Sequence, residues 1–182
     1  LPGGFGNRGI EGMVNSCRYA RTHKLPYFGI CLGMQIAVIE YARDVLGYTD
    51  ANSTEFNEMC KHPVIDLMKD QKGVIMGGTM RLGSYPCSVK EGTILKEAYK
   101  SDLIDERHRH RYEFNNQFRE EMEQNGLVIG GTSPDGMLVE AVELSKKDHP
   151  FYIGVQFHPE FKSRPNNAGK LFVEFVKACK KM

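Results

Sequence analysis

Two short stretches of this chain carry residue types that do chemistry together. In G-I-C-L-G (29–33) a cysteine stands between two glycines, where an apolar run gives way to a helical pattern. That form is a nucleophile elbow: a strand-to-helix turn strains the central residue and lifts its side chain to the carboxyl end of a sheet. In V-Q-F-H-P-E-F (155–161) His158 precedes Glu160 by two positions, with Pro159 between. Two such positions of an extended segment share a face, so Glu160 can orient the imidazole of His158. Each stretch alone has a structural reading, a core cysteine in a glycine turn and a solvated histidine–proline turn. Together they point to a thiol nucleophile, Cys31, activated by His158, with the N–H of Leu32 at a helix start favouring the thiolate and an oxyanion.

These groups need a sheet and a helix to position them. Residues 25–30 read as a buried strand, 11–24 as an amphipathic helix, and 32–46 as a helix with a solvated face at Glu40, Arg43 and Asp44, ending at a Gly47 cap. Further on, 63–68 reads as a strand and G-G-T-M-R-L-G (77–83) as a flexible loop entering another. Residues 115–124 read as a helix, 127–131 and 137–144 as a hairpin about S-P-D-G, 151–157 as a strand and 169–180 as a closing helix. The expected fold class is α/β, one three-layer domain over residues 1–182 with a mostly parallel central sheet and helices on both faces. The glycine-rich opening L-P-G-G-F-G ordinarily follows a strand, so the chain reads as a C-terminal fragment lacking its first strands.

The 182 residues include 41% hydrophobic and 26% charged types at a net charge of +1, which gives no whole-domain field for nucleic acid or a membrane surface. The sequence holds no apolar run long enough to span a bilayer. Five scattered cysteines without C-x-x-C spacing argue against a disulfide framework or a metal site and for a cytoplasmic setting. Cys17, Cys60, Cys87, Cys179 and Pro63 read as structural, and His23, His62 and His149 as surface residues. In R-H-R-H-R (107–111) the arginines should line one strand face and His108 and His110 the other, as a small-anion or partner-domain surface.

The stretches P-G-G-F-G (2–6), G-I-C-L-G-M-Q (29–35) and V-Q-F-H-P-E-F (155–161) resemble class I (triad) glutamine amidotransferases. A-N-S-T-E-F (51–56), G-G-T-M-R-L-G (77–83) and E-R-H-R-H-R-Y-E (106–113) resemble the branch formed by CTP synthase glutaminase domains, with a flavodoxin-like fold. The resemblance implies a Cys31–His158–Glu160 triad that hydrolyses L-glutamine to glutamate and ammonia. It implies an oxyanion site at the N–H groups of Gly4 and Leu32, and glutamine contacts at Gly4, Leu32, Gly33, Met34, Gln35, Glu55 and Arg111. Glu55 would meet the substrate ammonium and Arg111 its other end. Phe5 and Arg81 would be lid or effector residues. No cofactor is implied for this domain. ATP and magnesium are implied for a synthase domain of the same full-length chain, which would aminate UTP to CTP, with GTP as an allosteric activator and a homo-oligomer built through that domain. Competing readings are another triad amidotransferase, a γ-glutamyl hydrolase, and a catalytically silent assembly module.

Overall fold

Between Lys24, whose φ is 56°, and Cys31, whose φ is 51°, the run Y-F-G-I is buried at all four positions and forms β1 (Tyr27–Ile30). The computed structural model of the protein describes residues 1–67 and 80–181. α1 (Ile10–Thr22) precedes β1 and α2 (Leu32–Asp44) follows it. Then come β2 (Asn52–Ser53), β3 (Pro63–Leu67), β4 (Arg81–Val89), α3 (Ile94–Tyr99), β5 (Leu103–His110), β6 (Tyr112–Phe114), α4 (Arg119–Gln124), β7 (Leu127–Thr132), β8 (Val139–Leu144), β9 (Tyr152–Val155) and α5 (Lys170–Cys179).

The main sheet has the order β1-β9-β8-β7-β4-β5, and β2, β3 and β6 make a small second sheet. Within the main sheet β1 and β9 pair in parallel, whereas β9–β8, β8–β7, β7–β4 and β4–β5 are antiparallel. The sheet is therefore mixed rather than mostly parallel. The reason is local: S-P-D-G closes a tight hairpin between β7 and β8, whereas a parallel pair needs a long crossover. In the main sheet, the β1–α2 unit begins that crossover.

Helices cover both faces. Tyr27, Tyr152, Val142 and Leu127 pack with α1 and α2 in one core. Phe28, Ile30, Ile153 and Val155 pack with Ile94 and Leu95 of α3 and Leu171 of α5 in the other. Gly29 pairs with Gly154 across β1 and β9, and a Cβ at Gly154 would stand 2.9 Å from the Met34 Cα. A Cβ at Gly29 would stand 2.7 Å from the Gly33 carbonyl. This bare spot lets the first turn of α2 lie against the sheet and seats the elbow.

α2 departs from its expected solvated face. Every residue from Leu32 to Ala42 is buried, and Glu40, fully enclosed, is held by Arg21 of α1 at 2.7 Å. The polar spacing records a buried ion pair between helices. Gly47, with φ 77°, lies past the helix end, and Tyr48 N–H returns to the Ala42 carbonyl at 3.0 Å. His149 is also buried rather than superficial, hydrogen-bonded to the Ala20 carbonyl at 3.1 Å. In the loop 77–83, residues 77–79 lie outside the described residues.

Candidate active site

Cys31 opens α2 with φ 51° and ψ −102°, a left-handed conformation that a non-glycine residue adopts only at a cost. The elbow holds it there. Cys31 N–H donates to the Val155 carbonyl at 2.7 Å, and the Leu1 carbonyl accepts from Ile30 N–H at 2.9 Å. A Cβ on Gly33 would overlap the Leu1 carbonyl oxygen, which explains the second glycine of the motif. Cys31 is 3% exposed, but with Gly4, Phe5 and Gln35 it borders a cavity. Glu55, Met80, His110, Arg111 and Tyr112 complete the wall.

His158 is brought to the cysteine from the far end of the chain. Its backbone N–H donates to the Arg107 carbonyl of β5 at 2.7 Å, and its ring stacks on Phe161 at 4.7 Å between centroids. A Cβ on Gly3 would meet His158 Cε1 at 2.7 Å and Cys31 Cβ at 3.5 Å, so both side chains pack about one glycine. His158 Nδ1 lies 2.6 Å from Glu160 Oε1, and Nε2 has no hydrogen-bond partner among the described residues. The contact arises differently from the extended reading: Pro159–Phe161 is a single 3₁₀ turn that folds Glu160 back onto the ring. Since a carboxylate accepts, Nδ1 carries the proton and Nε2 is left as a base.

The resting thiol differs from expectation. The Leu32 N–H at the helix start acts to lower the thiol, as the elbow predicts, yet the Cys31 thiol is pushed up to about 12. Burial is the main cause; the Leu32 and Gln156 donors oppose it, and Glu160 and Glu55 add to it. Enclosure outweighs the helix terminus, so the thiol stays protonated at neutral pH until a base removes its proton.

The remaining predicted residues divide. Glu55 accepts from Gly6 N–H at 2.9 Å, tying the loop after β2 to the glycine turn, and with Arg111 and Gln35 it faces the cavity. Gly33 and Met34 stand behind that cavity's wall. Tyr27 Oη donates to the Gly33 carbonyl, and Met34 is fully buried against Gly154. Phe5 is 56% exposed beneath the Arg109 guanidinium. Arg81 is enclosed, held by Glu140 at 2.6 Å and stacked on Tyr85. The alternation holds for residues 107–110 of β5, with Arg107 and Arg109 exposed and His108 and His110 buried, but Arg111, past the strand end, joins His110 on the cavity wall instead of sharing the arginine face. Burial, with Arg81 nearby, depresses His110 to about 3 and His108 to about 2. Both rings are therefore neutral members of a buried network, and His110 reaches the cavity wall. Gln156, which touches the sulfur, was visible in its motif, but nothing in a glutamine's type marks it as a donor to a thiol.

Comparison with known proteins agrees with this architecture. The model of the family "Glutamine amidotransferase class-I" matches residues 1–178. A CTP synthase of Clostridium beijerinckii is 62% identical over 180 residues, covering 98% of this chain and 33% of that protein. The chain thus spans about a third of the length of the curated relatives it matches. A solved structure of the glutaminase domain of Trypanosoma brucei CTPS, with bound acivicin, is 41% identical over 99% of this chain and 69% of that one, with a TM-score of 0.93. A glutamine amidotransferase from Thermotoga maritima shares the fold at 16% identity, over all of this chain and 62% of that one, with a TM-score of 0.56. Among the described residues no helix is long and apolar enough to cross a membrane. With the elbow, the histidine–glutamate pair and the matched family in agreement, the chain belongs to the class I glutamine amidotransferases.

Proposed function

We propose that Cys31, His158 and Glu160 hydrolyse the side-chain amide of L-glutamine, and that the ammonia serves a synthase domain of the same full-length protein that converts UTP to CTP. The observation that carries this reading is the Nε2 of His158, without a hydrogen-bond partner among the described residues, beside a strained, cavity-facing cysteine. With Glu160 on Nδ1, Nε2 takes the thiol proton as sulfur bonds to the carboxamide carbon. The tetrahedral oxyanion is received by Leu32 N–H and Gly4 N–H; one such donor is typically worth about 2.7–4 kcal/mol. Collapse breaks the carbon–nitrogen bond, and the imidazolium returns its proton to the departing ammonia. Water then attacks the γ-glutamyl thioester, with Nε2 as base, releasing glutamate and restoring the thiol.

Glu55 and Arg111, both on the cavity wall, suit the ammonium and carboxylate of an amino-acid substrate. Gln35 is the third contact, while Gly33 and Met34 act through backbone position only. ATP and magnesium belong to the synthase domain, which the length of the curated relatives leaves room for. The setting is cytoplasmic and the assembly homo-oligomeric. GTP is the activator, with Phe5 and Arg81 as the effector candidates.

The test uses the full-length protein with UTP, ATP and magnesium. Glutamine and ammonium chloride should each support CTP formation, and Cys31→Ala should lose only the glutamine-dependent rate. A variant that keeps glutamine-dependent synthesis rejects Cys31 as nucleophile. Wild-type protein that makes no CTP from either nitrogen source rejects the synthase assignment.

A further inference from the structure

Val155 pairs with Ile30 at the ends of the parallel strand pair of the main sheet, so the next residues, Gln156 and Cys31, leave the sheet side by side. Gln156 is 1% exposed, its N–H donates to the Glu140 carbonyl, and its side-chain Nε2 lies 3.5 Å from Cys31 Sγ. Which end of an amide faces a partner is ordinarily ambiguous. Here a chain of contacts decides it. The Tyr112 backbone carbonyl can only accept, so the Gln35 nitrogen 2.9 Å from it is the NH₂ end. That same NH₂ group lies 3.2 Å from the Gln156 side-chain oxygen. The Gln156 NH₂ is thereby turned to the sulfur.

We propose that Gln156 is a catalytic hydrogen-bond donor to the Cys31 sulfur, stabilising it as the anion forms, and that Gln35 and the Tyr112 carbonyl are the positioning groups that aim it. When His158 Nε2 takes the thiol proton, the negative charge on sulfur faces Gln156 Nε2 from the sheet and the helix start at Leu32, whose N–H also favours the anion. A donor to a charged acceptor is worth more than one to a neutral group, so the contact favours the thiolate over the thiol. It works against the surroundings that disfavour the anion: burial, and the carboxylates of Glu160 and Glu55. The other titratable or charged groups at the site are His158, His110, Arg111 and Tyr112, which the substitutions below leave in place.

The inference rests on Cys31 being the nucleophile, and the experiment separates the two. In the full-length protein, Cys31 alkylation by a glutamine-analogue chloroketone is followed at neutral pH against reagent concentration, giving the maximal labelling rate and the half-saturating concentration. Gln156→Met keeps length and bulk but donates nothing. It should lower the maximal rate about tenfold and leave the half-saturating concentration unchanged. Gln35→Met, which frees the Gln156 amide to turn over, should lower the maximal rate the same way, its half-saturating concentration reporting the lost substrate contact, and the double variant should lower the maximal rate little further. An unchanged maximal rate in whichever single variant folds overturns the proposal, as does a loss confined to the half-saturating concentration, which is the mark of a binding role alone. Wild-type protein not labelled at Cys31 removes the nucleophile reading and this one with it. Labelling with an unchanged maximal rate removes this one alone.

Discussion

At the residue scale the site depends on charges that appear only during reaction. Burial pushes the Cys31 thiol up to about 12, so under the proposed function the imidazole takes its proton as sulfur attacks. Glu160 sets which imidazole nitrogen is free. Glu160→Gln removes the charge that steadies the imidazolium. The glutaminase kcat of the full-length protein should fall about 10²-fold or more, with little change in the glutamine KM. Steady-state kinetics check this, and a KM effect with kcat intact would instead place Glu160 in binding. Cys31 was legible because G-x-C-x-G is local geometry written in residue types. His158 and Glu160 were legible as a pair but not in shape, since proline started a 3₁₀ turn instead of extending the strand. Gln156 and the neutral His108–His110 pair were not legible, because their roles depend on partners from β8, α2 and β4 that no spacing reveals.

The elements show where packing overrode pattern. Polar positions on α2 look like a wet face, which Asp44 keeps at the helix end, yet Arg21 of α1 closes over Glu40 and the helix is enclosed from Leu32 to Ala42. Gly154 marks the closest approach of helix and sheet. Gly154→Ala sets a methyl 2.9 Å from a backbone atom of Met34, which cannot rotate away. The cost should be about 1–3 kcal/mol, read from urea midpoints at an unchanged slope. α3 carries a second prediction. Its Ile94 N–H bonds the buried Glu143 carboxyl at 2.5 Å, and burial raises that carboxyl to about 7 despite the two helix N–H groups it meets. A carboxyl raised on folding stabilises the fold most below its unfolded value near 4.5, and the contribution is lost as pH rises through 7. Thermal midpoints of the wild-type protein between pH 5 and 8 should therefore fall more than those of Glu143→Gln. Parallel slopes for the two proteins would contradict this. The hairpin of β7 and β8 was legible from S-P-D-G. The direction of the whole sheet was not, because one strand–turn–helix unit says nothing of the strands added beyond β9.

At the scale of the molecule, two cores on opposite faces of one sheet bring together segments more than a hundred residues apart. β1 and β9 meet in register, so the elbow and the histidine turn leave neighbouring strand ends and converge. β5 contributes the Arg107 carbonyl that pins His158 and then presents Arg107 and Arg109 outward. Under the proposed function, this exposed basic edge is the surface offered to the synthase domain. Substituting both arginines with alanine in the full-length protein should lower glutamine-dependent CTP synthesis more than glutaminase turnover. Equal losses would place the arginines in the glutaminase step itself.

The most direct measurement is the mass of each cysteine-containing peptide after stoichiometric treatment of the full-length protein with the glutamine-analogue chloroketone. The predicted result is one adduct, on the peptide of Cys31, blocked by excess glutamine and absent in His158→Ala at neutral pH. Modification at Cys17, Cys60, Cys87 or Cys179 instead, or at Cys31 with glutamine giving no protection, would contradict the account.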